Sequence, residues 1–107
     1  MTIVLTQDHW LDAQGNPAGG ISQGPGFTIS WQNGPLGRGP ERREPNGAFV
    51  ENIIAAAIGR LSFYQGSQFA CEENAQAYDL LCSALWWLNQ RTKRREHQEV
   101  EGTHAGS

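Results

Sequence analysis

The chain has 107 residues and a formal net charge of -3, enough for one small domain and too few for a second core beside a catalytic one. Its acidic balance, with a pI near 5.5, argues against general affinity for nucleic acid or anionic membrane surfaces. The 13 Gly and 5 Pro dilute an already small apolar content, so self-association is an available source of stability. The average charge conceals an asymmetry: seven of the eight basic residues fall in two clusters, Arg38, Arg42 and Arg43, then Arg91, Lys93, Arg94 and Arg95.

In chain order, residues 2–5 are rich in β-formers, and Trp10 and Leu11 follow. Segment 15–26 is dense in Gly, Pro, Asn, Gln and Ser, which is turn or loop chemistry. Residues 27–32 alternate apolar with polar, the period of a half-buried strand, and Asn33, Gly34 and Pro35 close it as a turn. The expectation is an antiparallel hairpin or small meander. Residues 34–47 are too punctuated by Gly and Pro for a regular element and read as a loop carrying three arginines.

From Phe49 the period changes. Val50, Ile53, Ile54, Ala57, Ile58 and Leu61 recur at spacings of three and four, which predicts one apolar helical face ending near Gln65. Gly66 and Ser67 break the helix, and a second helix is predicted from about Ala70 to at least Arg95, with no Gly or Pro inside it. Its middle, from Leu80 to Leu88, is apolar around more of the circumference than one stripe needs, and consecutive Trp86 and Trp87 point about 100° apart. A second copy of the chain is the expected cover; the alternative is that the sheet and the first helix wrap it completely. Residues 99–107 have the composition of a frayed tail.

The fold class expected is α+β: a short N-terminal antiparallel sheet, then a two-helix hairpin with a long C-terminal helix. All of it belongs to a single domain of residues 1–107, with the β-rich part and basic loop in 1–48, the helical hairpin in 49–98 and the tail in 99–107. Cys71 and Cys82 on one helix are about 16 Å apart, too far for a disulfide, and each is expected as a small core residue. No signal-peptide pattern or apolar run of about 18 residues is present, so the expected compartment is the cytoplasm.

Little in the sequence supports an enzyme. His9, His97 and His104 do not stand at zinc-ligand spacing to either cysteine. No Gly-x-Ser-x-Gly elbow or P-loop occurs, and Glu72 and Glu73 open a helix, where carboxylates suit the positive end of the dipole. No metal or cofactor is expected. The arginines say more. Arg91 and Arg95 are four apart, share a helix face and present two planar forks to one anionic group; they also suit the negative end of a helix in the absence of any ligand. Phe63, Tyr64, Phe69 and Asn74 cluster at the helical corner, where rings stack a base and an amide reads its edge, with corner packing as the plainer role for the rings. Asn74 and Arg91 are about 25 Å apart on one straight helix. One small ligand therefore meets both only if two copies of the helix pack antiparallel, corner against arginine end.

The run Phe69-Ala70-Cys71-x-Glu73-Asn74-Ala75, then Leu85-Trp86-Trp87-Leu88, Arg91-Thr92-x-x-Arg95 and Glu101-Gly102-Thr103-His104, resembles the helical hairpin of phage Thoeris anti-defence proteins of the first type. That hairpin is shared with the second anti-CBASS sponge family. Trp31 to Leu36, Asn46-Gly47-Ala48 and Arg60-Leu61-x-Phe63-Tyr64-Gln65 resemble the first of these, so the resemblance covers roughly residues 27 to 104. It implies a non-catalytic sponge, working in the infected bacterial cell, that binds a cyclic ADP-ribose isomer made by a TIR-domain immune protein and hides it intact. It further implies dimers assembled into hexamers with the pocket between protomers, and in some members separate sites for cyclic trinucleotides. By position, Asn74, Arg91 and Arg95 correspond to polar and phosphate-binding residues, Tyr64 to a base-stacking aromatic and Arg38 to a cation of the basic loop; Phe69 and Thr103 complete the expected ligand-binding set. The competing functions are a phage protein–protein inhibitor or adaptor using the Trp-rich helix and a small DNA-binding regulator, the latter disfavoured by the acidic pI.

Overall fold

The computed structural model describes residues 5–37 and 39–101. They form the expected α+β arrangement, a three-stranded antiparallel sheet, a short 3-10 turn and two helices. Contacts divide the chain between Phe49 and Val50 into two compact units.

In the first unit, β1 (Thr6–Leu11), β2 (Pro17–Gly24) and β3 (Phe27–Trp31) form a meander with β2 in the centre. Asp12 builds the first turn, its Oδ1 accepting from the backbone N–H groups of Gln14 and Asn16 at 2.9 Å. The second turn is Pro25 and Gly26, where Gly26 takes a φ of +85 that other residues resist.

The expectation of a loop over 15–26 is thus corrected: most of that segment is the central strand. Its small residues are what the position requires. A Cβ on Gly20 would run into the Asp8 carbonyl oxygen, and one on Gly19 would press on Trp10 and Asn33. The only buried polar residue described is Ser22, whose hydroxyl donates to Gln7 Oε1 at 2.7 Å and accepts from Trp31 Nε1 at 2.8 Å. Trp10 and Leu11 lie in β1, whereas residues 2–4 of the β-forming segment lie outside the described residues.

Beyond β3 the chain leaves for the basic loop and returns, Trp31 forming a parallel bridge with Ala48. Two side chains close the neck. Gln32 Oε1 accepts from the N–H groups of Asn46 and Gly47, while the Asn46 side chain takes both backbone groups of Asn33, at 2.8 and 2.9 Å. Within the loop Gly39–Glu41 forms a 3-10 turn, where no regular element was expected. Arg43 donates to the Pro35 carbonyl at 2.7 Å.

In the second unit α1 (Val50–Gln65) and α2 (Glu72–Glu101) pack as an antiparallel hairpin. Ile53, Ile54, Ala57, Ile58 and Leu61 are half-buried as the periodicity predicts, whereas Val50, the first residue of α1, stays exposed. At about 1.5 Å per residue, α2 is some 45 Å long against about 24 Å for α1, so its last turns overhang. Helix α2 begins at Glu72, two residues later than expected. It also continues through residues 99–101, the start of the expected tail; 102–107 lie outside the described residues. Among the described residues no large side chain is fully buried. No described helix is long and apolar enough to cross a membrane.

Candidate functional site

The corner between the helices is built by two polar side chains. Gln65 grips the residue before α2 with both ends of its amide: Oε1 accepts from Cys71 N and Nε2 donates to Cys71 O, each at 3.1 Å. Ser67 donates its hydroxyl to the Tyr64 carbonyl at 2.6 Å and accepts from Phe69 N at 3.1 Å. Cys71 is held there by its backbone and its side chain is exposed, which corrects the expectation of a core residue; Cys82 is half-buried, and both thiols are free.

These contacts gather three of the residues singled out in the sequence. Tyr64 ends α1 half-buried, Phe69 stands 65% exposed in the connection, and the Asn74 amide turns back toward the Phe69 carbonyl at 3.4 Å. At that length the Asn74 contact is weak, which leaves the amide available to a ligand.

Arg91 and Arg95 occupy the other end of the unit. Helix α2 is continuous between Asn74 and Arg91, so about 25 Å separates the two groups, and no single chain brings them onto one small molecule. Arg91 Nη2 lies 3.9 Å from Glu51 Oε2 of α1, whereas Arg95 is exposed beyond the α1 overlap. Arg38 and Thr103 lie outside the described residues.

Between the two ends the exposed face of α2 is aromatic. Trp86 and Trp87 meet edge to face with centroids 4.7 Å apart, and they and Leu80 are 52%, 67% and 69% exposed. A groove along the hairpin lined by Ser62, Gln65, Ala75, Tyr78 and Asp79 holds about 200 Å³, below the roughly 300 Å³ at which ligand pockets begin, and it includes none of the expected site residues. Among the described residues, no group of three or more His, Cys, Asp and Glu is placed to hold a metal ion.

Sequence reasoning passed over two participants. Glu51 faces Arg91 and Thr92 across the hairpin, a contact that spacing along the chain does not encode. Arg60 lies over the rings of both Phe63 and Tyr64, 5.1 and 4.9 Å from their centroids. Its signal was available in the i, i+3, i+4 spacing of those three residues.

No protein-family model matches the chain. The chain is similar to Thoeris anti-defense 1 of Bacillus phage SBSphiJ7, with 46% identity over 77 residues. The aligned stretch is 72% of this chain and 51% of that protein, so the chain spans about half the length of this relative.

Proposed function

Taking as its premise this similarity to a phage protein named for acting against Thoeris, we propose that the chain is a phage anti-Thoeris sponge. It captures a cyclic ADP-ribose isomer in the infected host's cytoplasm and holds it without cleaving it. The observation that carries the reading is the division of the candidate residues. Rings and an amide stand at the corner of the hairpin, two arginines stand about 25 Å away, and one uninterrupted helix joins them.

A second copy with α2 antiparallel places the corner of one chain against the arginine end of its partner. The aromatic middle of α2, with Leu80, Trp86 and Trp87 exposed, is the face that such a pairing covers. Tyr64 and Phe69 then stack the base, Asn74 reads its edge, and Arg91 and Arg95 hold the phosphates bidentately. Thr103 and the basic-loop Arg38 are further candidates. Nanomolar capture requires about 12 kcal/mol, which an inter-chain pocket excluding water can supply and an exposed arginine pair cannot. Higher assembly of such dimers into a hexamer, and separate sites for cyclic trinucleotides, belong to the same reading.

The test is to incubate the protein with a cyclic ADP-ribose isomer, measure the free ligand in a filtrate, then denature the protein by heat. Depletion followed by return of unchanged ligand supports a sponge; recovery of a cleaved product makes the protein an enzyme instead.

The exposure of Trp86 and Trp87 also favours a second reading, a protein–protein inhibitor that docks a host protein on this face. The double variant Arg91→Ala, Arg95→Ala separates the two, since it abolishes capture in a sponge and leaves an inhibitor working.

A further inference from the structure

We propose that Arg60 is a ligand-binding residue: it carries the positive charge of the corner end of the site, taking a phosphate on its N–H groups while its guanidinium stays in cation–π contact with Phe63 and Tyr64. The inference rests on the reading of the corner as a nucleotide site, and adds to it a cation and a third ring, Phe63.

Arg60 is the one basic residue of the chain outside the two clusters. Its guanidinium sits 4.9 Å from the Tyr64 centroid and 5.1 Å from that of Phe63, two rings whose own centroids are 6.2 Å apart. A cation–π contact uses none of the five N–H donors in a conventional hydrogen bond, so they remain available to an anion. Among the described residues no carboxylate forms an ion pair with Arg60, and the side chain is exposed.

The surroundings make such a charge necessary. Helix α2 opens at this corner with Glu72 and Glu73, and the residues assigned there, Tyr64, Phe69 and Asn74, are neutral. A doubly anionic ligand brought to them meets two carboxylates and, without Arg60, no cation from the same corner. Phe63 is 63% exposed on the same turn, an apolar ring with little of its surface packed, and although it is tilted 52° from Tyr64 it offers a base an aromatic face of its own.

Calorimetric titration of a cyclic ADP-ribose isomer into wild type, Arg60→Gln, Arg60→Lys and Lys93→Gln, each at low and high salt, tests this. Lys93→Gln makes the same charge change outside the assigned site. The expected result is binding weakened on the order of 10- to 100-fold in Arg60→Gln, with a flatter salt dependence than wild type. Arg60→Lys, which keeps the charge and loses the planar donor fork, falls between, and Lys93→Gln matches wild type. Because Arg60 is exposed, thermal melting should change little; if Arg60→Gln melts early, Arg60→Lys decides in its place. Wild-type affinity in the deciding Arg60 variant overturns the inference. Failure of the wild-type protein itself to bind overturns the nucleotide reading beneath it, a result visible before any variant is compared.

Discussion

Arg91 of α2 and Glu51 in the first turn of α1 form an ion pair across the helical hairpin, Nη2 to Oε2 at 3.9 Å, and the Thr92 hydroxyl stands 3.5 Å from the same carboxylate oxygen. These separations exceed hydrogen-bond lengths, so the contact is mainly coulombic. The arginine proposed to hold a ligand phosphate therefore has a carboxylate beside it already, with which an arriving anion would compete.

Glu51→Gln removes that competition while keeping the shape. Because Arg91 is half exposed, the ion pair is worth only about 0–1 kcal/mol to folding, and the melting temperature should fall by no more than about 4–8 °C. Affinity for a cyclic ADP-ribose isomer, measured by calorimetry, should rise about threefold or more as repulsion at this range is lifted. A fall in affinity would mean instead that Glu51 serves the site by holding Arg91 in position.

The sheet unit depends on one hydroxyl. Ser22 is 3% exposed and satisfies Gln7 and Trp31 together. Ser22→Ala leaves the indole N–H without its acceptor and the Gln7 amide oxygen without its donor, at a cost of about 1–3 kcal/mol. Urea denaturation followed by Trp fluorescence would register the loss, and an unchanged midpoint would show that water replaces the hydroxyl.

Two glycines should respond to alanine in opposite directions. At Gly20 the added methyl meets the Asp8 carbonyl of the neighbouring strand, whereas at Gly59, within α1, it meets nothing within 4 Å. Gly59→Ala is expected to stabilise by about 0.5–1 kcal/mol, from helix propensity and a less free unfolded chain. Gly20→Ala is expected to destabilise by about 2 kcal/mol or more, since rigid backbone must move. Thermal melts of the two variants side by side check both signs.

Trp87 is 67% exposed, so Trp87→Glu should scarcely alter the helical content of a single chain. Under the proposed function it places a charge in the face between copies and should shift the mass measured by light scattering toward the monomer, with loss of ligand capture. Full oligomer from this variant would remove α2's aromatic face from the assembly.

The helices were legible because each carries its own evidence. The three- and four-residue recurrence from Ile53 to Leu61 and the unbroken run into Arg95 are local patterns, and α1 and α2 follow them closely. Strand β2 was not legible for a matching reason. Gly19, Gly20 and Ser22 have no apolar alternation, because the groups that cover them, Trp10 and Trp31 among them, belong to other strands.

The candidate site divides in the same way. Asn74, Arg91 and Arg95 follow from chemistry and helical spacing, and so does the distance that makes one chain insufficient. Gln65's clamp on Cys71, Glu51 beside Arg91 and the setting of Arg60 on two rings appear only in the folded chain. By itself the sequence determined the helices, the clustering of charge and the separation of the two groups of candidate residues, since each depends on residues near one another along the chain. Only the tertiary structure decided which strand lies at the centre of the sheet, which carboxylate meets Arg91 and how the corner is held. Those are contacts between elements, and close packing selects them by shape and by the need to satisfy buried polar groups rather than by spacing.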